Sequence, residues 1–308
     1  METVIRILLP VFGLIVCGFA ACRAGVLPRG SVDALNRYAY YFALPPLLFM
    51  VTADAPLREF FNWPFIGAFL GGTAITVAAA LAAGRLIFHR HGADLSLHVL
   101  ATVFGNTAYM GIPVFLTAFG ERGALPAVIA TVASNVLVLG TVIAALEHHR
   151  TSGGRSAWRL GRAVLANPLL VASFLGLAAS VAGASLPRAV EGLVRMLAQS
   201  AVPVALFTLG LSLARGLQTQ AHSVAETVWL TFAKLAVHPA ATWILARHWI
   251  SDPLWMKSAV LMAAMPVGAL VFVLSEFYGV QPGRASSSIV VSTALSAVTL
   301  GFLLLWLR

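Results

Sequence analysis

Gly105-Asn106-Thr107-Ala108-Tyr109-Met110-Gly111-Ile112-Pro113 lies inside an apolar run long enough to cross a bilayer, and an ordinary membrane helix should not contain it. Asn106 carries an amide that hydrocarbon cannot solvate. Gly111 weakens a helix, and Pro113 removes one backbone N–H while clashing with the preceding turn. The stretch predicts a helix broken near mid-depth. Such breaks are tolerated only where neighbouring protein or a water-filled cavity satisfies the freed backbone groups, so they mark transport pathways. A second apolar run holds Met265-Pro266-Val267-Gly268, a similar interruption about half a chain later.

The surrounding composition fits a membrane setting. Of 308 residues, 59% are hydrophobic and 10% charged, and the mean hydropathy is +0.89; a soluble chain carries about 25% charged residues. The net charge of +9 is spread between apolar runs without dense basic clusters or interleaved aromatics, which speaks against nucleic acid as a partner. Cys17 and Cys22 both fall in the first run, where they read as small apolar residues. No cofactor or metal site is expected. A Gly-x-x-x-x-Gly-Lys-Ser/Thr loop for ATP is also missing.

With about 20 apolar residues needed per crossing, the chain reads as ten spans. In the first half they fall near 4–24, 31–53, 62–88, 95–119 and 123–147. The second half gives 164–184, 188–214, 222–247, 254–278 and 284–307. Aligning Pro10 with Pro168 without gaps brings Gly18 onto Gly176, Ala24-Gly25 onto Ala182-Gly183 and Arg37 onto Arg195. Ala43, Pro45, Leu48 and Phe49 then meet Ala201, Pro203, Leu206 and Phe207. Each half holds an odd number of spans, so the second enters from the opposite side. The expected fold is all-α, two inverted five-helix repeats at 1–147 and 164–308 joined by a basic linker at 148–163, with broken crossover helices in spans 4 and 9. Pro113 and Pro266 take equivalent places in those spans, and Pro45 and Pro203 are expected as kinks. Arg150, Arg155, Arg159 and Arg162 place the linker in the cytoplasm and both termini outside it.

Asn106 to Pro113, Asn167-Pro168-Leu169, Lys234-Leu235-Ala236-Val237-His238-Pro239, Ala264-Met265-Pro266 and the run from Ala285 to Ser296 together resemble the auxin efflux carrier family and its bacterial malonate and malate permeases. The likeness spans the chain. It implies a secondary carrier of organic anions in the cell membrane, similar in fold to bile acid sodium symporters. It further implies a scaffold of spans 1, 2, 6 and 7, a transport domain of spans 3–5 and 8–10, elevator motion and a homodimer. The likeness does not extend to a second crossover asparagine, because Ala269 and Leu270 stand where relatives often carry one.

An anion site follows on physical grounds as well. A broken helix exposes free N–H groups and a positive dipole end that attracts a carboxylate; residues just after Met110 and Met265 are expected to supply them. The candidate substrate residues are Asn106, Tyr109, Met110, Gly111, Ile112, Pro113, Asn135, Met265, Pro266, Val267, Ser292 and Thr293. Asn135 serves either the site or a neighbouring helix, and the serines and Thr293 serve either close packing or substrate contact. Lys234 sits mid-span with His238 one turn on. It is a counter-charge for the substrate or part of a proton relay, or else a fixed lysine bonded to carbonyls freed by Pro239. His98 and Glu276 read as interfacial groups or as groups that titrate during transport.

Among function classes, an intramembrane hydrolase needs a Ser/His, Asp/Asp or metal-binding set, and the histidines here are scattered. The expected activity is secondary transport of a malonate-like or malate-like anion, with auxin-like acids a further class, driven by membrane potential, a proton gradient or both. Sodium coupling and a carboxylate receptor on a transporter fold are the alternatives.

Overall fold

The computed structural model describes residues 2–28, 30–54, 57–150, 168–216 and 224–307. In chain order the α-helices are α1 (Glu2–Arg23), α2 (Ser31–Tyr38), α3 (Leu44–Ala53), α4 (Leu57–Phe60), α5 (Trp63–Leu86), α6 (Gly92–Val103), α7 (Ile112–Phe119), α8 (Glu121–Ala133) and α9 (Gly140–Arg150). They continue with α10 (Pro168–Ala182), α11 (Arg188–Gly216), α12 (Val224–Phe232), α13 (His238–Trp249), α14 (Pro253–Ala263), α15 (Leu270–Tyr278) and α16 (Pro282–Trp306). Among the described residues the only extended pairing is one isolated bridge. Among the described residues five helical stretches are long and apolar enough to cross a membrane: Trp63–Leu86, Glu121–Leu146, Arg188–Arg215, Val224–Trp249 and Pro282–Trp306. The linker expected at 148–163 falls mostly on residues 151–167, outside the described residues.

Several α-helices are entered through a π-turn, and proline explains most of these turns. Ala39–Ala43, Thr107–Gly111 and Ala233–Val237 are π-helical, and Pro45, Pro113 and Pro239 each stand in the first turn of the α-helix that follows. Proline cannot donate to the carbonyl one turn back and its ring crowds that carbonyl. A wider turn just before it re-routes the hydrogen bonds and lets the span continue. Pro203, which meets Pro45 when Pro10 is aligned with Pro168, instead sits within the unbroken α11. A fourth π-turn, Ser134–Leu139, carries Asn135.

The chain packs as two compact units. One holds α1–α4, α7, α8, α10 and α11. There, α3 packs along α10, and two glycines let backbones meet. A Cβ on Gly18 would lie 2.0 Å from the Phe207 carbonyl oxygen, and one on Gly176 would lie 2.4 Å from that of Phe49. The Pro10/Pro168 alignment maps Gly18 onto Gly176 and Phe49 onto Phe207, so the same contact is built twice. Because the obstacle is backbone, Gly18→Ala and Gly176→Ala should each destabilise by about 1–3 kcal/mol through overpacking. Thermal unfolding in detergent reads this directly, and an unchanged midpoint in both variants would show that the helices are not held this closely.

The second unit holds α5, α6, α9 and α12–α16. Its spine is α5 against α13, where Gly72 brings the two backbones together: a Cβ there would lie 2.7 Å from the Thr242 Cα. Phe65 is fully buried and meets Trp255 edge-on at 5.2 Å, closing one end of α5 over α14.

Candidate functional site

Within the second unit, α6 and α14 both stop short of their apolar runs. After Val103 the backbone turns extended at Phe104, and Gly105 pairs in antiparallel fashion with Val267. Asn106 N–H donates to the Pro266 carbonyl at 2.7 Å, and Gly268 N–H donates to the Phe104 carbonyl at 2.9 Å. The two breaks thus satisfy one another, which is how non-helical backbone survives at membrane depth. The first break falls earlier than the Gly111/Pro113 stretch suggests. Pro113 is accommodated in the first turn of α7, where a missing N–H costs nothing, whereas Gly105 leaves room that a side chain would fill. A Cβ at Gly105 would stand 3.3 Å from Lys234 Nζ and 3.4 Å from Met265 Cβ. The N–H groups of the following helix therefore begin near Thr107, not after Met110.

Lys234 is fully buried at this crossing. Its ammonium donates to the Ala263 carbonyl at the end of α14 and lies 3.1 Å from His238 Nδ1. The tautomer of His238 follows from its other neighbour. Thr73 spends its hydroxyl hydrogen on the Phe69 carbonyl at 2.8 Å, so at 3.1 Å it accepts from His238 Nε2–H. That leaves Nδ1 as the acceptor for Lys234. The lysine's carbonyl partner comes from the broken α14, not from the turn before Pro239. Among the described residues no carboxylate forms an ion pair with it.

Around this pair the sequence candidates divide. Ser292 is buried on α16 and accepts from Val267 N–H at 3.1 Å, while giving its own hydrogen to the Ile289 carbonyl. Among the described residues the Asn106 amide nitrogen and the Thr293 hydroxyl are buried without a partner, so each has hydrogen-bonding capacity to offer a ligand. Met265 is fully buried beside Gly105. Asn135 is buried in the π-turn that packs on α6. Tyr109, Met110, Gly111, Ile112 and Pro113 belong to the other unit, where Met110 and Ile112 are fully buried. The side chain of Glu276 lies outside the described residues.

A second polar cluster was not anticipated. Glu226, in the first turn of α12, is 1% exposed. Its carboxylate accepts from His98 Nδ1 at 2.7 Å, from Arg284 at 3.0 Å and from Arg90 at 2.6 Å. Arg284 also pairs with Asp94, which is 3.2 Å from Arg90. Arg284 looks like a loop charge in the sequence, but it is 3% exposed in the first turn of α16. His98, too, is fully buried within the protein. Arg90, between α5 and α6, is held more firmly in its charged form by the hydrogen bond to Glu226. The missed signal was the position of Glu226 and Arg284 at the very starts of apolar runs, where acids and bases ordinarily face water.

A family model described as "Membrane transport protein" matches residues 3–304. The chain belongs to that family, the auxin efflux carriers and their relatives. It is 31% identical over its whole length to the "Putative malonate transporter" of Rhizobium meliloti, covering 97% of that protein. It is 24% identical to an uncharacterized transporter of Methanocaldococcus jannaschii, with 97% of this chain and 96% of the relative aligned. The "Probable auxin efflux carrier component 5a" of Oryza sativa subsp. japonica is 23% identical, with 95% and 93% covered. This member of the family is accordingly a multi-pass membrane transporter.

Proposed function

We propose that the protein is a secondary active transporter of small organic anions, carboxylates of the malonate or malate kind, working by elevator-type alternating access. The observation that carries this reading is the crossing itself. Among the described residues, a buried lysine without a carboxylate partner and the unpartnered Asn106 amide nitrogen stand in the same unit as two paired helix breaks. An isolated cation at such depth is costly. A substrate carboxylate offsets that cost on arrival, and it gains charge-assisted hydrogen bonds where water cannot compete.

The wider architecture supports the same reading. The twin glycine contacts at Gly18 and Gly176 fit two copies of one helix arrangement, and the antiparallel crossing fits copies of opposite sense. Ten membrane spans in two inverted repeats, both termini outside the cytoplasm and a homodimeric assembly in the cell membrane complete the proposal. The unit that holds the crossing also holds α5, α9, α12, α13 and α16, a set able to carry substrate as one body.

Proteoliposomes test it. Charge movement is recorded on adding mono- and dicarboxylates at two pH values, with and without sodium, and labelled-anion uptake covers electroneutral exchange. Selective flux that falls about tenfold or more in Asn106→Ala, in line with a lost hydrogen bond to a charged group, is the expected result. Binding of a carboxylate with no flux under any gradient would overturn the transporter reading.

A further inference from the structure

The Glu226 cluster stands apart from the crossing, yet it gathers the starts of the helices that build it. Asp94 lies in the first turn of α6, Glu226 in that of α12 and Arg284 at the start of α16. Further along, about two turns on from Glu226 and Arg284 and about three on from Asp94, roughly 12–18 Å at the helical rise, each chain segment delivers a crossover group. The α6 segment leads to Gly105 and Asn106, the α12 segment to Lys234, and α16 to Ser292. An α-helix is stiff along its axis, so a shift at its start appears at its far end.

We infer that Glu226 is a positioning residue, the hub of a register lock that fixes Lys234 and Ser292 against the two helix breaks of the crossing. Its two carboxylate oxygens are bonded from three elements at once: His98 on α6, Arg284 on α16 and Arg90 in the α5–α6 connection. Asp94 closes the ring by pairing with both arginines. Apolar packing alone would tolerate a sliding of one helix past another with little loss, whereas directional bonds between buried charges do not, and register is the best-attested use of such groups. The positive ends of the three helices favour two carboxylates at this point. At the far end each of the same three segments bonds the broken end of α14, through Val267 N–H on Ser292 Oγ at 3.1 Å, Lys234 on the Ala263 carbonyl, and Asn106 N–H on the Pro266 carbonyl at 2.7 Å. A slip of a fraction of a turn is enough to part these bonds.

The inference rests on the proposed transport site for its consequence, but its first test needs no ligand. Backbone hydrogen exchange is followed at residues 104–106 and 264–268 in the full chain, comparing wild type, Glu226→Gln and Phe65→Ala. Phe65 packs at the Trp255 end of α5, and its variant serves as a destabilised control, with temperatures set so that both variants lie equally far below their melting points. Exchange at the crossing at least tenfold faster in Glu226→Gln than in Phe65→Ala is expected. Equal exchange in the two variants would overturn the lock. Should Glu226→Gln fail to fold, Asp94→Asn keeps the hub and removes one tie, and a rise of threefold or more in the same segments is then expected. Equal exchange in Asp94→Asn and the control overturns the inference too.

The second arm measures KM for malonate. Glu226→Gln should raise it about tenfold in the wild-type background and only about threefold in Ser292→Ala, because part of the hub's effect passes through that contact and the rest through Lys234. A full tenfold effect persisting in Ser292→Ala would argue against the lock. If wild type moves no carboxylate at all, the proposed function fails while the exchange result still decides the inference.

Discussion

Lys234→Met is expected to lose carboxylate flux by about a hundredfold while the protein's melting point moves only a few degrees. Methionine keeps the length and apolar stem of lysine but has no charge, and at a site with no solvent exposure water cannot replace the missing donor. A hydrogen bond to a charged group contributes about 1.5–3 kcal/mol, which is about 10- to 100-fold in affinity. The small change in stability comes from two opposing effects. Removing a buried cation relieves its desolvation, whereas the Ala263 carbonyl and His238 Nδ1 each lose a donor, costing about 1–3 kcal/mol per acceptor. Arginine should not rescue, because its broad planar head has no space where a Cβ on Gly105 would already lie 3.3 Å from the amine. Uptake and thermal unfolding on the same preparation check both halves. Wild-type KM in Lys234→Met would remove the lysine from the substrate site. A drop of ten degrees or more with flux retained would make it a strut for α14.

The contrast between the two polar clusters shows what the sequence makes legible. Lys234 and Asn106 stand out because they interrupt the middle of apolar runs, where any polar group needs a reason. Glu226, Asp94 and Arg284 do not stand out, because the first turn of a membrane helix is where charges normally meet water; only the convergence of three such turns buries Glu226 and Arg284 and half-covers Asp94. Helix breaks show the same division. Proline at 113 and 266 signals a disturbance, and the disturbance is real, but a proline can be absorbed by a π-turn before it, as at Thr107–Gly111. The actual first break is at Gly105, where the deciding factor is the approach of Lys234 and Met265 from elsewhere in the chain. Composition and periodicity carry no record of that approach. The twin contacts of Gly18 with Phe207 and of Gly176 with Phe49 are, by contrast, legible once Pro10 is aligned with Pro168, because close backbone contact demands glycine and leaves little freedom to drift.

Arg284→Met is expected to be the most damaging single change in the second unit, lowering stability by about 3–5 kcal/mol because it leaves buried charge uncompensated. Glu226 would still hold Arg90 and His98, and Asp94 would still face Arg90, but two carboxylates would then share one guanidinium in a region with 1% exposure at Glu226. At about 2–4 °C per kcal/mol for a protein of this size class, the melting point in detergent should fall by roughly 10 °C. The double variant Arg284→Met/Glu226→Leu should recover most of that loss, since replacing both members of a buried pair by apolar groups is often neutral or stabilising. Recovery of stability should not restore the crossing, however. Leucine cannot tie α12 to α6 and α16 at once, so exchange at residues 104–106 and 264–268 should stay fast in the double variant although its melting point is normal. If the double variant is no more stable than Arg284→Met, the damage comes from lost packing of the long arginine stem rather than from charge. If stability and slow exchange return together, helix packing alone sets the register, and the bonds of Glu226 only neutralise their neighbours.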